Sequence, residues 1–290
     1  MHPFRYVRAT TVDEVVSVLS EYGPRARCLA GGTDILAQVR AGGYELDAIV
    51  DIKGVPDVMR MDQDGHGLHI GAAVPCYRLY EDEQVCSDYP GIIDAASMIG
   101  GIQIQSRASL GGNLCNASPS ADSVAPLIVH HTTAIIAGPD GTRQVPVEAF
   151  CTSPGQTVLE RGEFLVGFRI PKPLAWFGAA YQRFIPRNEM DIAVVGVGSS
   201  VVLDASGERV QSARIALAAV GPTPILATEA GASLAGQEAT PEAISAAAKL
   251  AREAASPIID MRGTVEHRRH LVEVLTVRTL KKAVQRAREV

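Results

Sequence analysis

The sequence predicts an α/β amino-terminal region followed by a carboxy-terminal α+β region of antiparallel strands and helices. Three observations carry this expectation. Helical and strand-like segments alternate through the first fifty residues. Pro171-Lys172-Pro173 marks a change of pattern. Beyond it, long β-rich runs come first and two helices come last.

The elements follow in order. Thr11-Val12-Asp13-Glu14 reads as a capping box, with Val12, Val15, Val16 and Leu19 at helical spacing behind it. Gly23-Pro24 stops that helix. Residues 26–30 form a short apolar run that ends in Gly31-Gly32; Ile35, Leu36 and Val39 then resume a helical period, and residues 47–52 read as the next strand. Residues 68–72 read as another strand, and residues 91–99 as a helix entered through Pro90. Asp122 stands before the apolar run 123–130 and reads as its cap. Residues 132–137 and 144–147 flank Gly138-Pro139-Asp140-Gly141, which predicts a hairpin. Residues 193–203 and 213–220 are β-rich and joined through Asp204-Ala205-Ser206-Gly207. Thr240-Pro241-Glu242 opens one helix and Thr264 another that runs towards Arg288. The domain boundary is expected near residues 171–178, with no internal repeat or low-complexity segment.

Composition narrows the function classes. The chain has 290 residues, 47% of them apolar and 20% charged, with a net charge of -5. No Lys/Arg run offers a footprint for nucleic acid, so none is expected as a partner. No apolar stretch is long enough to span a bilayer, and the opening MHPFRYVRATTVDEVV lacks the apolar core of a secretory signal. Cys28, Cys76, Cys86, Cys115 and Cys151 are odd in number and form no CxxC pair. A disulfide framework, a structural zinc site and an iron–sulfur cluster held by this chain alone are therefore not expected, and the cytoplasm is the expected compartment.

Two glycine doublets carry the candidate chemistry. In Leu29-Ala30-Gly31-Gly32-Thr33-Asp34-Ile35-Leu36 a strand runs into two glycines and a helix opens. Such a turn lets a ligand approach the main chain, and amides at a helix start favour an anion, usually phosphate. The pattern fits neither GxGxxG nor GxxxxGK[ST]. Ser109-Leu110-Gly111-Gly112-Asn113 repeats the device. Two such loops converging on one ligand suit a pyrophosphate, and Ser109 and Asn113 add side-chain hydrogen-bonding groups. Asp122 has two open roles on chemistry alone: a helix cap, or an acceptor for a ribose or ribityl hydroxyl.

"LAGGTDIL" together with "IGGIQIQSRASLGGNLCNASPSAD" resembles the FAD-binding medium subunit of the molybdenum hydroxylases, the family of xanthine dehydrogenase and carbon monoxide dehydrogenase. The resemblance extends along the chain, through "ARIALAAVGPTPILA" and "DMRGTVEHRRHLVEVLTVRTL". It implies a FAD-binding domain of two subdomains over residues 1–175, split near residues 55–60, and a C-terminal α+β domain over residues 176–290. It implies noncovalent FAD; none of the seven histidines lies in either glycine loop. Leu29, Ala30, Gly31, Gly32, Thr33, Asp34 and Ile35 match one flavin-binding loop; Ser109, Leu110, Gly111, Gly112 and Asn113 match the other. Asp122 matches an acidic residue that touches the cofactor, and Leu165 an apolar residue beside the ring. Arg183 matches a basic position near the flavin, where a cation favours negative charge on the reduced ring. Read without the resemblance, Leu165 is ordinary core and Arg183 a solvated or interface charge.

Some positions depart from relatives. Ile99 stands where xanthine dehydrogenase-type members place an aromatic, Thr33 where carbon monoxide dehydrogenases commonly have His, and the cluster-bearing insertion of hydroxybenzoyl-CoA reductases is absent. The implied assembly is a dimer of heterotrimers. A small subunit carries two [2Fe-2S] clusters, a large subunit carries the molybdenum cofactor, and this chain passes electrons to an external acceptor. A self-sufficient FAD-dependent oxidoreductase and a non-redox nucleotide-binding assembly subunit are the alternatives. Among the remaining histidines, His130 and His131 read as helix-end cations, His66 and His69 as surface, and His267 and His270, beside Arg268 and Arg269, as a solvated face.

Overall fold

The computed structural model describes residues 3–289. Three larger sheets organise them, beside a two-stranded ribbon of Cys151–Ser153 and Gln156–Thr157. The first is small and parallel, in the order Arg5–Arg8, Ala48–Asp51, Ala26–Leu29. Its middle strand is buried throughout, as a parallel strand covered on both faces should be. The helix Val12–Tyr22 connects the first two strands in sequence and begins as expected. Thr11 Oγ1 accepts from the Glu14 amide, while the Glu14 carboxylate accepts from the Thr11 amide. The strand Arg5–Arg8 was not expected from the sequence, which gave a helix as the first element. Its residues are mostly exposed, so it carries no apolar run, and only its pairing with Ala48–Asp51 makes it a strand.

The second sheet is antiparallel and five-stranded: Met61–Asp64, Gly67–Gly71, Phe164–Pro171, Thr133–Gly138, Gly141–Pro146. Its last two strands form the expected hairpin around Pro139-Asp140. Helices Pro90–Ala96, Leu110–Cys115 and Val124–Val129 arise between its strands in sequence. The third sheet is four-stranded and antiparallel: Phe177–Phe184, Val195–Leu203, Val210–Ala218, Ile225–Leu226. Every residue of Val195–Leu203 is buried. Ser199 Oγ lies 2.7 Å from Thr279 Oγ1 on the long helix Val265–Arg288, and Ser200 Oγ donates to the Val129 carbonyl (2.9 Å) on Val124–Val129. Neighbouring residues of one strand thus face helices on opposite sides of the sheet. One hydrophobic core joins Phe168 and Ile136 of the second sheet to Tyr181, Ala216 and Ala218 of the third, so the C-terminal sheet braces the site-bearing lobe. Among the described residues no helix is long and apolar enough to cross a membrane, no His/Cys/Asp/Glu cluster could hold a metal ion, and the five cysteines are free.

Several expectations are corrected. His130 is no helix-end cation: it is 4% exposed, its ring lies between Tyr89 and Phe177, and burial pushes its pKa down to about 3. His69 is buried within Gly67–Gly71 instead of on the surface. The face near His267 is not wholly solvated either. Arg268 is buried and donates to the carbonyls of Val194 and Ala219 and to Asp260.

Candidate functional site

The two glycine segments meet. Gly31 lies against the backbone of Arg107 and Ala108, so closely that a Cβ on residue 31 would overlap the Arg107 carbonyl oxygen. Around this contact the chain is stitched from several sides. The Cys76 amide donates to the Ala108 carbonyl (2.8 Å), Pro75 bridges Ser109, and Gln38 Nε2 donates to Asn116 Oδ1 (2.9 Å). The last bond ties helix Ile35–Arg40 to helix Leu110–Cys115, the two helices that the glycine segments open.

The segments differ in local structure. Gly32 has φ +82, a left-handed conformation that L side chains rarely adopt, and it turns the chain between strand Ala26–Leu29 and the following helix. Gly111 and Gly112, by contrast, lie in the first turn of Leu110–Cys115, with Ser109 as the cap: its Oγ accepts from the Gly112 amide (3.1 Å). A Cβ on Gly111 would overlap the backbone of Ala72, whereas a Cβ on Gly112 would meet only Ser109 Oγ, at 3.2 Å. Gly111 is small so that the helix can seat on the sheet. Gly112 leaves open space.

That space is a cavity of about 600 Å³, within the range of small-molecule sites. Ala30, Gly31, Gly32, Thr33, Asp34 and Ile35 line it from one side, and Ser109, Gly111, Gly112 and Asn113 from the other. Leu165 and Ile99 also reach its wall. Leu165 is 4% exposed and belongs to the core as well, so its two sequence readings coincide. Among the described residues, the amides of Gly31, Gly32, Thr33 and Asp34 donate no hydrogen bond to the protein. The loop's carbonyls are engaged instead: Gly32 accepts from the Leu36 amide (3.2 Å) and Asp34 from the Gln38 amide (3.0 Å). Unpaired amides lining a cavity make an anion cradle. Burial pushes the Asp34 carboxyl up from its ordinary value.

Leu29, Leu110, Asp122 and Arg183 are not on the cavity wall. Leu110 is 1% exposed in the core. Asp122 does not cap the next helix: Ser123 occupies that position without a side-chain hydrogen bond. Asp122 is instead paired with Arg183 Nη1 and accepts from the Tyr181 hydroxyl (2.7 Å). Burial pushes its carboxyl up, and Arg183 and Tyr181 draw it back. Burial and the neighbouring Asp122 carboxylate push the Tyr181 hydroxyl well above its ordinary value. Arg183 Nη2 donates to the Met98 carbonyl (2.8 Å), the residue before Ile99 of the cavity wall. The Arg183 side chain is only 7% exposed, so it is neither a solvated charge nor a free cation facing the cavity. Next to Asp122, the Ser123 amide and hydroxyl both donate to Asn113 Oδ1 (3.0 and 2.7 Å), which fixes Asn113.

Residues not singled out from the sequence complete the wall. The Arg27 guanidinium lies 5.0 Å from the Tyr44 ring centroid, and both residues line the cavity. Arg161 lines it too, holding the carbonyls of Ser20 and Glu21. Isolated cations far apart in sequence give no local signal of convergence.

Comparison with known proteins reaches the same region. The family described as the FAD binding domain in molybdopterin dehydrogenase matches residues 2–173, and the CO dehydrogenase flavoprotein C-terminal domain matches residues 179–283. The xanthine dehydrogenase FAD-binding subunit of Escherichia coli O157:H7 is 32% identical over 285 residues, covering 97% of this chain and 96% of its own. The carbon monoxide dehydrogenase medium chain of Hydrogenophaga pseudoflava is 30% identical over 280 residues, covering 97% and 96%. Among solved structures, a carbon monoxide dehydrogenase of Hydrogenophaga pseudoflava superposes with a TM-score of 0.93 at 30% identity, over 99% of both chains. Quinoline 2-oxidoreductase of Pseudomonas putida 86 gives 0.91 at 29% identity, over 99% and 98%.

Proposed function

The chain belongs to the FAD-binding subunits of the molybdenum hydroxylase family, and from that premise we propose that it relays electrons inside a larger enzyme. Electrons come singly from [2Fe-2S] clusters of a small partner subunit, after the substrate is oxidised at a molybdenum cofactor in a large one. They leave to an external acceptor. A bound flavin supplies the junction between one-electron donors and a two-electron acceptor. The chain's own residues hold and shield it.

The observation that carries this proposal is the meeting of Gly31 with the Arg107 backbone, which lets both glycine segments line one cavity. The donor set fits FAD. The amides of Gly31 to Asp34 and the helix start at Gly111 and Gly112 would take the diphosphate. Asn113, held by Ser123, the Tyr44 ring and the apolar Leu165 side chain border the remaining length. Asp122 and Arg183 act from behind this wall: their pair, anchored on the Met98 carbonyl, fixes the segment that presents Ile99. The five free cysteines fit a reducing compartment such as the cytoplasm. The assembly that fits these roles is a dimer of heterotrimers.

Purification of the chain alone tests the cofactor assignment. It is expected to carry FAD, with flavin absorbance near about 450 nm. A chain that neither copurifies with FAD nor takes it up on incubation overturns the assignment. Mixing with a reduced two-cluster partner tests the relay, and bleaching of that absorbance is expected. Bleaching by a simple organic substrate without partners would favour the self-sufficient oxidoreductase instead.

A further inference from the structure

Lys53 follows strand Ala48–Asp51 and lies outside the cavity wall. Its Nζ donates to Asp51 Oδ1 (2.6 Å) and also to the carbonyl of Ala30 (2.9 Å), 23 positions earlier in the chain. Asp51 is itself fixed, accepting from the Tyr6 hydroxyl (2.6 Å) and the Lys53 amide (3.1 Å). Burial opposes its charge, but the bonds from Lys53 and Tyr6 outweigh burial and hold its carboxyl below the ordinary carboxylate range. The Lys53 side chain is 28% exposed, so the ammonium is partly shielded from solvent.

The bond to Ala30 has a directional consequence. No peptide bond among the described residues is cis. In a trans peptide the carbonyl of one residue and the amide of the next point in opposite directions. A lysine that draws the Ala30 carbonyl outward therefore turns the Gly31 N–H the other way. Ala30 and Gly31 both line the cavity, and among the described residues the Gly31 amide donates no hydrogen bond. Gly31 has no freedom to give way on its other side, where the Arg107 carbonyl blocks it.

We propose that Lys53 is a positioning residue for ligand binding: held by Asp51, it fixes the Ala30–Gly31 peptide so that the Gly31 amide is aimed at a diphosphate in the cavity. This rests on the FAD proposal and adds to it a residue that touches neither the cofactor nor the cavity. A lysine serving only to neutralise Asp51 would leave ligand preference unchanged.

The test compares a ligand with and without the diphosphate, using the full chain freed of flavin. ADP and adenosine each compete against FAD, with the bound flavin's fluorescence as readout, in wild type, Lys53→Met, Lys53→Ala and Lys53→Arg. Circular dichroism identifies the variants that fold. In a folded Met or Ala variant, ADP affinity is expected to fall about tenfold, the order of one charge-assisted hydrogen bond. Adenosine affinity is expected to hold, and Lys53→Arg to retain most of the ADP affinity. Unchanged ADP affinity, or equal losses for ADP and adenosine, overturns the inference while leaving the FAD proposal standing. Failure of Met and Ala variants alike to fold would make Lys53 a stability residue and also overturn it. Failure of the wild-type chain to bind FAD or ADP removes both.

Discussion

Gly31 and Arg107 pack main chain against main chain, with no room for a Cβ between them. The contact brings together two segments that are remote in sequence, and both segments line one cavity. Gly31→Ala is expected to force the segments apart, at about 1–3 kcal/mol of stability, with loss of FAD. A thermal melt and the FAD content of the purified variant check both; a stable variant with full FAD would show that the contact is dispensable.

Gly111 and Gly112 are neighbours with opposite expected phenotypes. Gly111→Ala meets the Ala72 backbone and should destabilise the chain even without cofactor. Gly112→Ala meets only Ser109 Oγ and lies in a helix, where Ala is favoured over Gly. Its flavin-free melting temperature should be unchanged or raised, while FAD affinity falls roughly tenfold or more. Titration of both variants with FAD separates the seat of the helix from the seat of the ligand.

The Asp122–Arg183 pair is nearly buried. Removing one partner strands a charge, so Asp122→Asn or Arg183→Met alone should cost about 3–5 kcal/mol, while the double variant should cost less than the sum. Urea unfolding of the four proteins measures the coupling. Arg183 is committed to Asp122 and to the Met98 carbonyl. Its loss should therefore act first on stability and on the Ile99 segment. Additive single losses would mean that the two residues act independently.

His130 gives the chain an acid sensitivity. The unfolded chain takes up its proton near pH 6.5 and the folded chain only near pH 3. Between those values the unfolded state binds more protons, so stability falls as pH drops through this window. At pH 4.5 the loss relative to neutral pH is about 3 kcal/mol. His130→Gln should remove this component from a plot of unfolding free energy against pH, and parallel curves for wild type and variant would contradict the assignment.

Local chemistry made part of this molecule legible. The capping box at Thr11 and Glu14, the Thr240 cap and the Pro139-Asp140 hairpin are written within a few residues each, and the structure has all three. Long-range choices were not legible. The strand Arg5–Arg8 exists through its partner 43 positions on, as in Arg5 opposite Ala48. Asp122 had a plausible local role as a cap, but Arg183, 61 positions away, claims it. Burial of His130 depends on Tyr89 and Phe177, which no window around it contains. In the site, the glycine segments were visible as motifs, whereas Lys53, Arg27 and Tyr44 became meaningful only once the sheets brought them together.

An experimental structure of the full chain with FAD tests the central claim most directly. The claim predicts the diphosphate between the Gly31–Asp34 amides and the first turn of Leu110–Cys115, with Gly112 against it. A diphosphate bound elsewhere, with this cleft filled only by solvent, would contradict it.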